Sequence, residues 1–202
     1  STRKSLDETA RDQRLIKLFQ DYNRRGITGV IDRNCGSGAR TQYERLLDAD
    51  LLTLRVRASR GVSAGRGKAE IEKRLDAIAA DPYFKKPDPR FGIIGVKVFQ
   101  DGGMLTGSAY FQKPWGKSKI YGIKDPRYRG MQYVKEEQLE TLARACVQHG
   151  LAFTAHCQGD AATTTLARVY ARIDKDFPVA PSRSSITHSS FMTPEAIRLA
   201  GK

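Results

Sequence analysis

The sequence contains few cysteines, only Cys35, Cys146 and Cys157 among 202 residues. Their number is odd and no two of them form a CxxC spacing. This usage excludes a disulfide framework and a zinc site built from thiolates. It is compatible with a reducing compartment.

Long apolar runs are also missing, because no stretch approaches the ~18–20 apolar residues that a membrane span needs. The sequence shows no secretory signal peptide. Residue 1 is a serine rather than an initiator methionine, which is compatible with a processed, truncated or excerpted chain. The start of the sequence therefore does not indicate its localisation. We therefore expect no membrane partner, and we favour the cytoplasm as the location.

Acidic residues are scarce beside basic ones: 22 Asp and Glu against 35 Lys and Arg give a formal net charge of +13. Such a surplus suggests a nucleic acid or another polyanion as a partner. The alternative is a solvated basic surface, or one side of a larger neutral protein. The densest basic stretch comprises Arg55, Arg57, Arg60, Arg66 and Lys68, followed by residues 113–129. No RNP, zinc-finger or helix-turn-helix signature supports nucleic-acid binding beyond this charge.

The composition, 40% hydrophobic and 28% charged, is globular and excludes collagen, coiled coil and wholesale disorder. The length fits one domain, residues 1–202. Periodicity predicts helices at residues 6–25, 41–49, 68–81, 136–149 and 161–175 and from Pro194 onward, with Asp160 and Thr193 as capping residues. It predicts strands at 27–32, 51–58, 93–99, 151–155 and 184–188, connections at 34–38, 60–67 and 82–90, and a long loop at 101–133.

The strict alternation of these helices and strands predicts an α/β fold with parallel strands. Periodicity alone does not separate a barrel from an open, doubly wound sheet. No GxGxxG follows the first strand, which weakens a dinucleotide-binding interpretation.

Lys97 lies in an alternating segment, GVKVFQD (95–101). Alternation sends the two valines to one face, and Lys97, Phe99 and Asp101 to the other. If the valines face helices, Lys97 points into a barrel, where an unpartnered ammonium is costly to bury. Reaction with carbon dioxide gives a carbamate, an oxygen ligand able to bridge two metals. Alternatively, Lys97 pairs with Asp101 or lies on an outer face.

His156 directly follows the predicted strand at 151–155, and His188 ends the predicted strand at 184–188. The two positions are 32 residues apart, close to the length of one βα step. Reactive groups of α/β barrels lie at the C-terminal ends of strands. Two neutral imidazoles on neighbouring strand ends can bind one metal ion. The alternative for each is a polar partner for a loop.

Other candidate residues have simpler alternatives. His149 ends a helix and fits a C-terminal dipole partner, and Cys157 lacks a separate base. In the long loop, four aromatic residues either wall a substrate pocket or pack the loop: Tyr110, Phe111, Trp115 and Tyr121. The length of the loop favours a functional role.

Four segments together resemble the amidohydrolase superfamily, specifically its amidohydrolase family 3 branch. They are GVKVFQDGG (95–103), AHCQGDA (155–161), SITHS (185–189) and GITGV (26–30). They match that branch's G-[VI]-K-x-[FM]-x-D-G, H-A-x-G-D-x-A, R-[IL]-E-H-x and G-[IV]-T-[ST]-V segments, in the right order. Cys157 replaces the usual Ala, and Thr187 replaces the usual Glu.

The resemblance implies a (β/α)8 TIM-like barrel, of which this chain covers about strands 2 to 6. It implies that Lys97, His156 and His188 are metal ligands, with Lys97 carboxylated, and that one or two divalent ions, zinc being favoured, bind there. We expect Asp101, Tyr110 and Trp115 to contact the substrate. The implied reaction is hydrolysis of a C–N bond in a small amide or cyclic amide by metal-activated water.

The sequence also departs from the family's pattern. It has no H-x-H pair on a first strand and no last-strand aspartate, so this chain alone is expected to lack a complete site. Two alternatives therefore stay open: a basic α/β protein that binds nucleic acid or another polyanion, and a non-catalytic barrel relative. Homo-oligomerisation is also left open.

Overall fold

A computed structural model describes residues 7–65 and 67–201. Residue 6 of the predicted first helix, Arg66 and the side chain of Lys68 lie outside this description. In chain order the described elements are α1 Glu8–Arg24, β1 Gly29–Cys35, α2 Ser37–Asp48, β2 Arg55–Gly61, α3 Lys68–Ala79, α4 Pro82–Lys85, β3 Phe91–Phe99, α5 Glu136–Gln148, β4 Ala152–Cys157, α6 Asp160–Ile173, β5 Ser185–His188 and α7 Pro194–Ala200. A short 3-10 turn, Ala180–Ser182, precedes β5.

The strands alternate with helices, and their hydrogen-bonded order follows the chain, β1-β2-β3-β4-β5. The β1–β2, β3–β4 and β4–β5 pairs are parallel. The predicted α/β class is thus confirmed. Within the described residues, no helix has both the length and the apolar character that a bilayer crossing requires.

The described residues divide into two compact units, and the prediction of a single domain stays a prediction. The first unit contains the residues up to Arg60 together with Ala80–Ile94. Its core joins α1, β1, α2 and β2 through buried apolar side chains: Phe19, Cys35, Tyr43, Leu46, Leu52, Leu54, Val56, Ala58 and Phe91. Arg40 Nε donates to Asp81 at 2.8 Å, which ties α2 to the residue that caps α4.

The second unit contains Gly61–Ala79 and the residues from Gly95 onward. Helices α5 and α6 pack together and against β4, and their contacting faces are apolar and buried: Leu139, Leu142, Cys146, Phe153, Leu166 and Val169. At the edge of the α5–α6 contact, Arg172 pairs with Glu136 and Glu140. The Tyr170 hydroxyl lies 2.7 Å from Phe153 O and 3.0 Å from Ser185 O, beside both β4 and β5.

The predicted strand at residues 51–58 begins too early, since β2 starts at Arg55. The amides of Leu51 and Leu52 instead donate to Leu46 O, a carbonyl near the end of α2. Leu52 and Leu54 are nevertheless buried, so this apolar run fills the core as a connection. An apolar run of this kind has the same sequence pattern as a buried strand.

The predicted connection at 34–38 is also wrong in its bounds. Asn34 and Cys35 end β1, and α2 begins at Ser37. An irregularity in the β1–β2 register between Asp32 and Cys35 accommodates these turn-like residues within the strand. The predicted connection at 82–90 contains the short helix α4, with Asp81 accepting from Tyr83 N at its start.

Two differences affect the site directly. Strand β4 runs to Cys157, two residues beyond the predicted 151–155, so His156 lies within a strand. The predicted cap, Asp160, is the first residue of α6, and Gly159 is the capping residue. The carboxylate of Asp160 instead accepts the backbone amide of Gln112 at 2.7 Å. Thr193 caps α7 as predicted, accepting from Ala196 N.

Candidate metal centre

The predicted metal ligands lie on three neighbouring strands of the second unit. In the register of β3, β4 and β5, Phe99 pairs with His156, and Cys157 pairs with His188. The rings of His156 and His188 meet edge to face, with centroids 4.5 Å apart and planes at 74°. The two imidazoles are therefore neighbours at the C-terminal ends of β4 and β5.

Lys97 lies one strand away and is almost fully buried, with 3% of its surface exposed. Its Nζ is 5.2 Å from the ring centroid of Phe99, and that ring is 5.4 Å from the ring of His156. Lys97 and Phe99 thus face the same side of β3, as the alternation predicts. The buried ammonium gains part of its stabilisation from the aromatic face.

His156 is oriented by the segment that follows β3. Its Nε2 lies 3.2 Å from Gly102 O and 3.6 Å from an oxygen of Asp101. Because both neighbours are acceptors, we assign the proton of the neutral ring to Nε2. The lone pair of Nδ1 then becomes the donor available to a metal ion.

His188 has an unusual backbone, with φ of 76°, and Ser189 follows with φ of 45°. Two consecutive non-glycine residues in the left-handed region are strained, and such strain is typical of functional positions. Burial lowers the pKa of His188 below its usual value, and the charges of His156 and Lys97 lower it further, against an opposing effect of Asp101. This direction favours the neutral imidazole, which is the form in which histidine binds metal ions.

Asp101 has no exposed surface. Its carboxylate accepts backbone N–H groups from Tyr110, Gln158 and Gly159, each at 2.9 Å. Burial raises the pKa of Asp101, while the hydrogen bonds from Gly159, Tyr110 and Gln158 oppose that rise. Both carboxylate oxygens are therefore hydrogen-bonded to backbone amides, which does not favour the predicted contact between Asp101 and the substrate.

Trp115 is anchored in the loop at 101–133. Its Nε1 donates to Ala109 O at 2.8 Å. Its ring packs edge to face with Phe111 and Tyr121, with ring centroids 5.2 Å and 5.5 Å away. Phe111 also contacts Phe191, three residues after His188, with centroids 5.1 Å apart. Trp115 is therefore part of an aromatic cluster that connects the loop to the segment after β5.

Tyr110 is held at both its backbone and its ring. Its amide donates to Asp101, and the guanidinium of Arg129 lies 5.2 Å from its ring centroid. The sequence predicted no role for Phe191, because no periodic pattern marks it, and it placed Arg129 only in the basic stretch at 113–129. Phe99 lies beside Lys97 as the alternation predicted.

The family of the chain follows from its sequence. The model of the amidohydrolase family matches residues 2–201. The chain belongs to the amidohydrolase family. This result confirms the resemblance seen in the four segments, and no curated protein matches the chain.

Two solved structures share the fold of this amidohydrolase. One is an uncharacterized metal-dependent hydrolase from Pyrococcus horikoshii OT3, 20% identical with a TM-score of 0.74 over 96% of this chain. The other is an uncharacterized metal-dependent hydrolase from Pyrococcus furiosus, 18% identical with a TM-score of 0.75 over 97% of this chain. The chain spans only 35% and 37% of their lengths, in agreement with the predicted part of a TIM-like barrel.

Within residues 7–65 and 67–201, no group of three or more His, Cys, Asp and Glu side chains forms a metal-holding cluster in this amidohydrolase. The donor set at the strand ends is two imidazoles and the amine of Lys97. Cys157 adds no thiolate, because burial raises the pKa of its thiol well above the usual value. His149 lies elsewhere, capping the end of α5 with its Nε2 3.3 Å from Asp76.

Proposed function

We propose that this amidohydrolase is part of a metal-dependent hydrolase that cleaves a C–N bond in a small amide or cyclic amide. The observation that carries the proposal is the pair of touching imidazoles, His156 and His188, beside the buried Lys97. Family membership supports the reaction class. The two similar structures, both of uncharacterized metal-dependent hydrolases, point the same way.

The residues present fit a divalent ion, with zinc as our proposed metal. His156 offers Nδ1 because its Nε2 is turned toward Gly102 O. His188 offers a neutral ring because its pKa is lowered. A divalent ion bound by these nitrogens supplies Lewis acidity, polarising a carbonyl and lowering the pKa of a bound water toward ~7.

Lys97 fits the same centre after carboxylation. Burial disfavours a charged ammonium. The neutral amine can attack the carbon of CO₂: the N–C bond forms, one C=O π electron pair moves onto oxygen, and the amine loses one proton to water. The product is a carbamate whose oxygens are ligands for one or two metal ions. Carboxylation also removes the positive charge that lies near His188.

The long loop supplies the remaining surroundings of the centre. We propose that Tyr110 and Trp115 contact the substrate and that the aromatic cluster of Phe111, Trp115, Tyr121 and Phe191 excludes water from it. Phe191 extends this cluster to within three residues of His188. Water exclusion strengthens the electrostatic interactions on which such hydrolysis depends.

Metal analysis of the full-length protein tests the proposal. We expect near-stoichiometric zinc in the wild type and its loss in a His156→Ala/His188→Ala double variant. His149→Ala is the matched control, since this third histidine is a helix cap beside Asp76, and it should retain the metal. An amide-substrate screen with ester analogues then tests the bond type. Absence of metal from the reconstituted wild type would refute the proposal.

A polyanion-binding function is the second candidate, favoured by one observation. The exposed basic side chains of the loop at 101–133 include these five: Lys113, Lys117, Lys119, Lys124 and Arg127. Electrostatic binding of this kind weakens steeply with salt. Binding of single-stranded DNA across a salt series, with a variant in which these five residues are Gln, would separate this function from hydrolysis.

A further inference from the structure

The carboxylate of Asp101 forms hydrogen bonds to two separate segments of the chain. One oxygen accepts the amides of Tyr110 and Gly159, and the other accepts the amide of Gln158. Tyr110 belongs to the long loop, whereas residues 158 and 159 form the turn between β4 and α6. One side chain at the end of β3 thus fixes both segments.

The packing around these contacts leaves little freedom. A Cβ at Gly159 would lie 2.0 Å from Tyr110 O, and a Cβ at Gly102 would lie 2.2 Å from the Ser108 hydroxyl. The turn and the loop therefore approach each other at backbone distance. Their shared partner, Asp101, is fully buried between them.

The same carboxylate borders the His156 ring. Its oxygen that accepts Gln158 N lies 3.6 Å from His156 Nε2, and Gly102 O, from the next residue, lies 3.2 Å from that nitrogen. Both acceptors favour the Nε2–H form of the ring. Asp101 is therefore connected to His156 in two ways. It binds the amides of the turn that follows β4, and its carboxylate lies beside the Nε2 atom of the ring.

We propose that Asp101 is a positioning residue whose buried carboxylate fixes the 158–159 turn and holds the His156 ring with Nδ1 directed to the metal. The metal in this statement rests on the proposed function, but the orientation of the ring does not. The acceptor hydrogen-bonded to His156 Nε2 is Gly102 O, and the Asp101 carboxylate lies 3.6 Å from the same nitrogen. Groups that surround the second nitrogen of a ligating histidine commonly change metal affinity 10- to 100-fold when removed.

Asp101→Asn is the informative variant, because it keeps the size of the side chain and replaces one acceptor oxygen with an NH₂ donor. All three backbone partners and His156 Nε2–H are donors. The orientation that keeps Tyr110 and Gly159 bonded turns the NH₂ group toward Gln158 and His156. We therefore expect an increased population of the Nδ1–H form of His156.

Imidazole ¹⁵N spectra of the metal-free full-length protein test this directly, since His156 signals are assigned by a His156→Gln variant. In the wild type we expect the Nε2–H form of His156 and slow hydrogen exchange at the amides of residues 110, 158 and 159. In Asp101→Asn we expect a selective shift of the His156 nitrogens, faster exchange at these amides, and 10- to 100-fold weaker zinc binding.

Asp160→Asn is the matched control, because its carboxylate accepts a single loop amide, that of Gln112. It should leave the His156 nitrogens unchanged and zinc affinity within about threefold of the wild type, since it alters one backbone contact that does not involve the His156 ring. Equal shifts at His149, His156 and His188 would assign Asp101 a general structural role and overturn the proposal.

The outcomes separate this inference from the proposed function. Zinc absent from the wild type refutes the function, while the nitrogen spectra still decide the role of Asp101. An Nδ1–H form of His156 in the wild type overturns the inference even if Asp101→Asn fails to fold. Bound zinc with unchanged His156 signals in Asp101→Asn also overturns it.

Discussion

His156 and His188 stand edge to face, 4.5 Å between ring centroids, although one βα step separates them in the chain. The contact follows from the parallel pairing of β4 and β5, in which Cys157 lies opposite His188. The two rings meet across the paired strands, and no helix or loop contributes to their contact. The candidate metal centre is therefore built on strand ends, which are rigid supports for a ligand set.

The first prediction concerns the ionisation of His188. Burial and the nearby charges of His156 and Lys97 lower the pKa of His188. We expect its NMR titration midpoint below 6.5 in the metal-free protein. Lys97→Met should move the midpoint upward, because one of the charges that disfavour the imidazolium is removed. A midpoint at or above 6.5 in the wild type would contradict this electrostatic assignment.

The same shift fixes how stability depends on pH. In the unfolded chain His188 takes up a proton as the pH falls through 6.5, whereas in the folded protein it does so only at lower pH. Between these two values the unfolded state binds more protons, so the free energy of unfolding decreases as the pH falls. His188→Gln should reduce this decrease, measured by urea titrations at pH 7 and pH 5.5.

A second prediction tests the carbamate. Lys97→Ala should lose most of its hydrolytic activity, and acetate or propionate should restore part of it by occupying the vacated space with a carboxylate. Chloride at equal ionic strength is the control for salt effects. A parallel Lys135→Ala variant, at an exposed position, should keep full activity. Full metal retention without rescue by either acid would count against a carbamate ligand.

A third prediction concerns Trp115. Trp115→Phe keeps an aromatic ring beside Phe111 and Tyr121 but removes the hydrogen bond to Ala109 O. We expect a loss of about 1 kcal/mol in stability and a raised KM if the loop covers the substrate. A lower melting temperature with unchanged KM would make Trp115 a packing residue only.

A fourth prediction concerns the Glu140 carboxylate between α5 and α6. Burial raises its pKa, but hydrogen bonds from Arg172 and Arg144 outweigh burial, so the pKa lies below 4.5. The stabilisation is therefore complete above pH 4.5 and is lost as the pH falls through the folded pKa. Glu140→Gln should cost about 1 kcal/mol at pH 7 and flatten the acid limb of stability. Glu137→Gln, at an exposed position of the same helix, should do neither.

The fifth prediction is steric. Gly159→Ala places a methyl group 2.0 Å from Tyr110 O, where the backbone has to move. We expect a loss of at least about 2 kcal/mol, within the range for overpacked sites, and faster hydrogen exchange in the 101–133 loop. Gly36→Ala is the control, because it also precedes a helix but has open space at its Cβ. Equal effects of the two variants would rule out the steric explanation.

Much of the architecture was predictable because the periodic apolar segments mark the strands and helices, and polar residues mark where several strands end. The segments around Lys97, His156 and His188 each join an apolar run to a reactive side chain, and parallel pairing places such ends side by side. Their chemical role stays a prediction. The start of β2 was not predictable in the same way, because the amides of Leu51 and Leu52 donate to Leu46 O. This interaction joins backbone groups, and the side-chain types do not indicate it.

The role of Asp101 was harder to infer for a related reason. Its three partners are backbone amides, and every residue except proline carries one. The spacing of residues 101, 110, 158 and 159 follows no helix or strand period. Asp160 shows the converse problem: it has the residue type of a helix cap, but Gly159 takes that position and Asp160 binds the loop.

Because Asp101 contacts only the main chain of Tyr110 and Gln158, these two positions are constrained very differently from position 101. For this contact, any residue with an amide hydrogen suffices at 110 and 158, while the carboxylate at 101 and the bare Cα at 159 have no substitutes. Side chains at positions 110 and 158 can therefore vary without disturbing the hydrogen bonds that connect the end of β3 to the long loop and to the turn after β4.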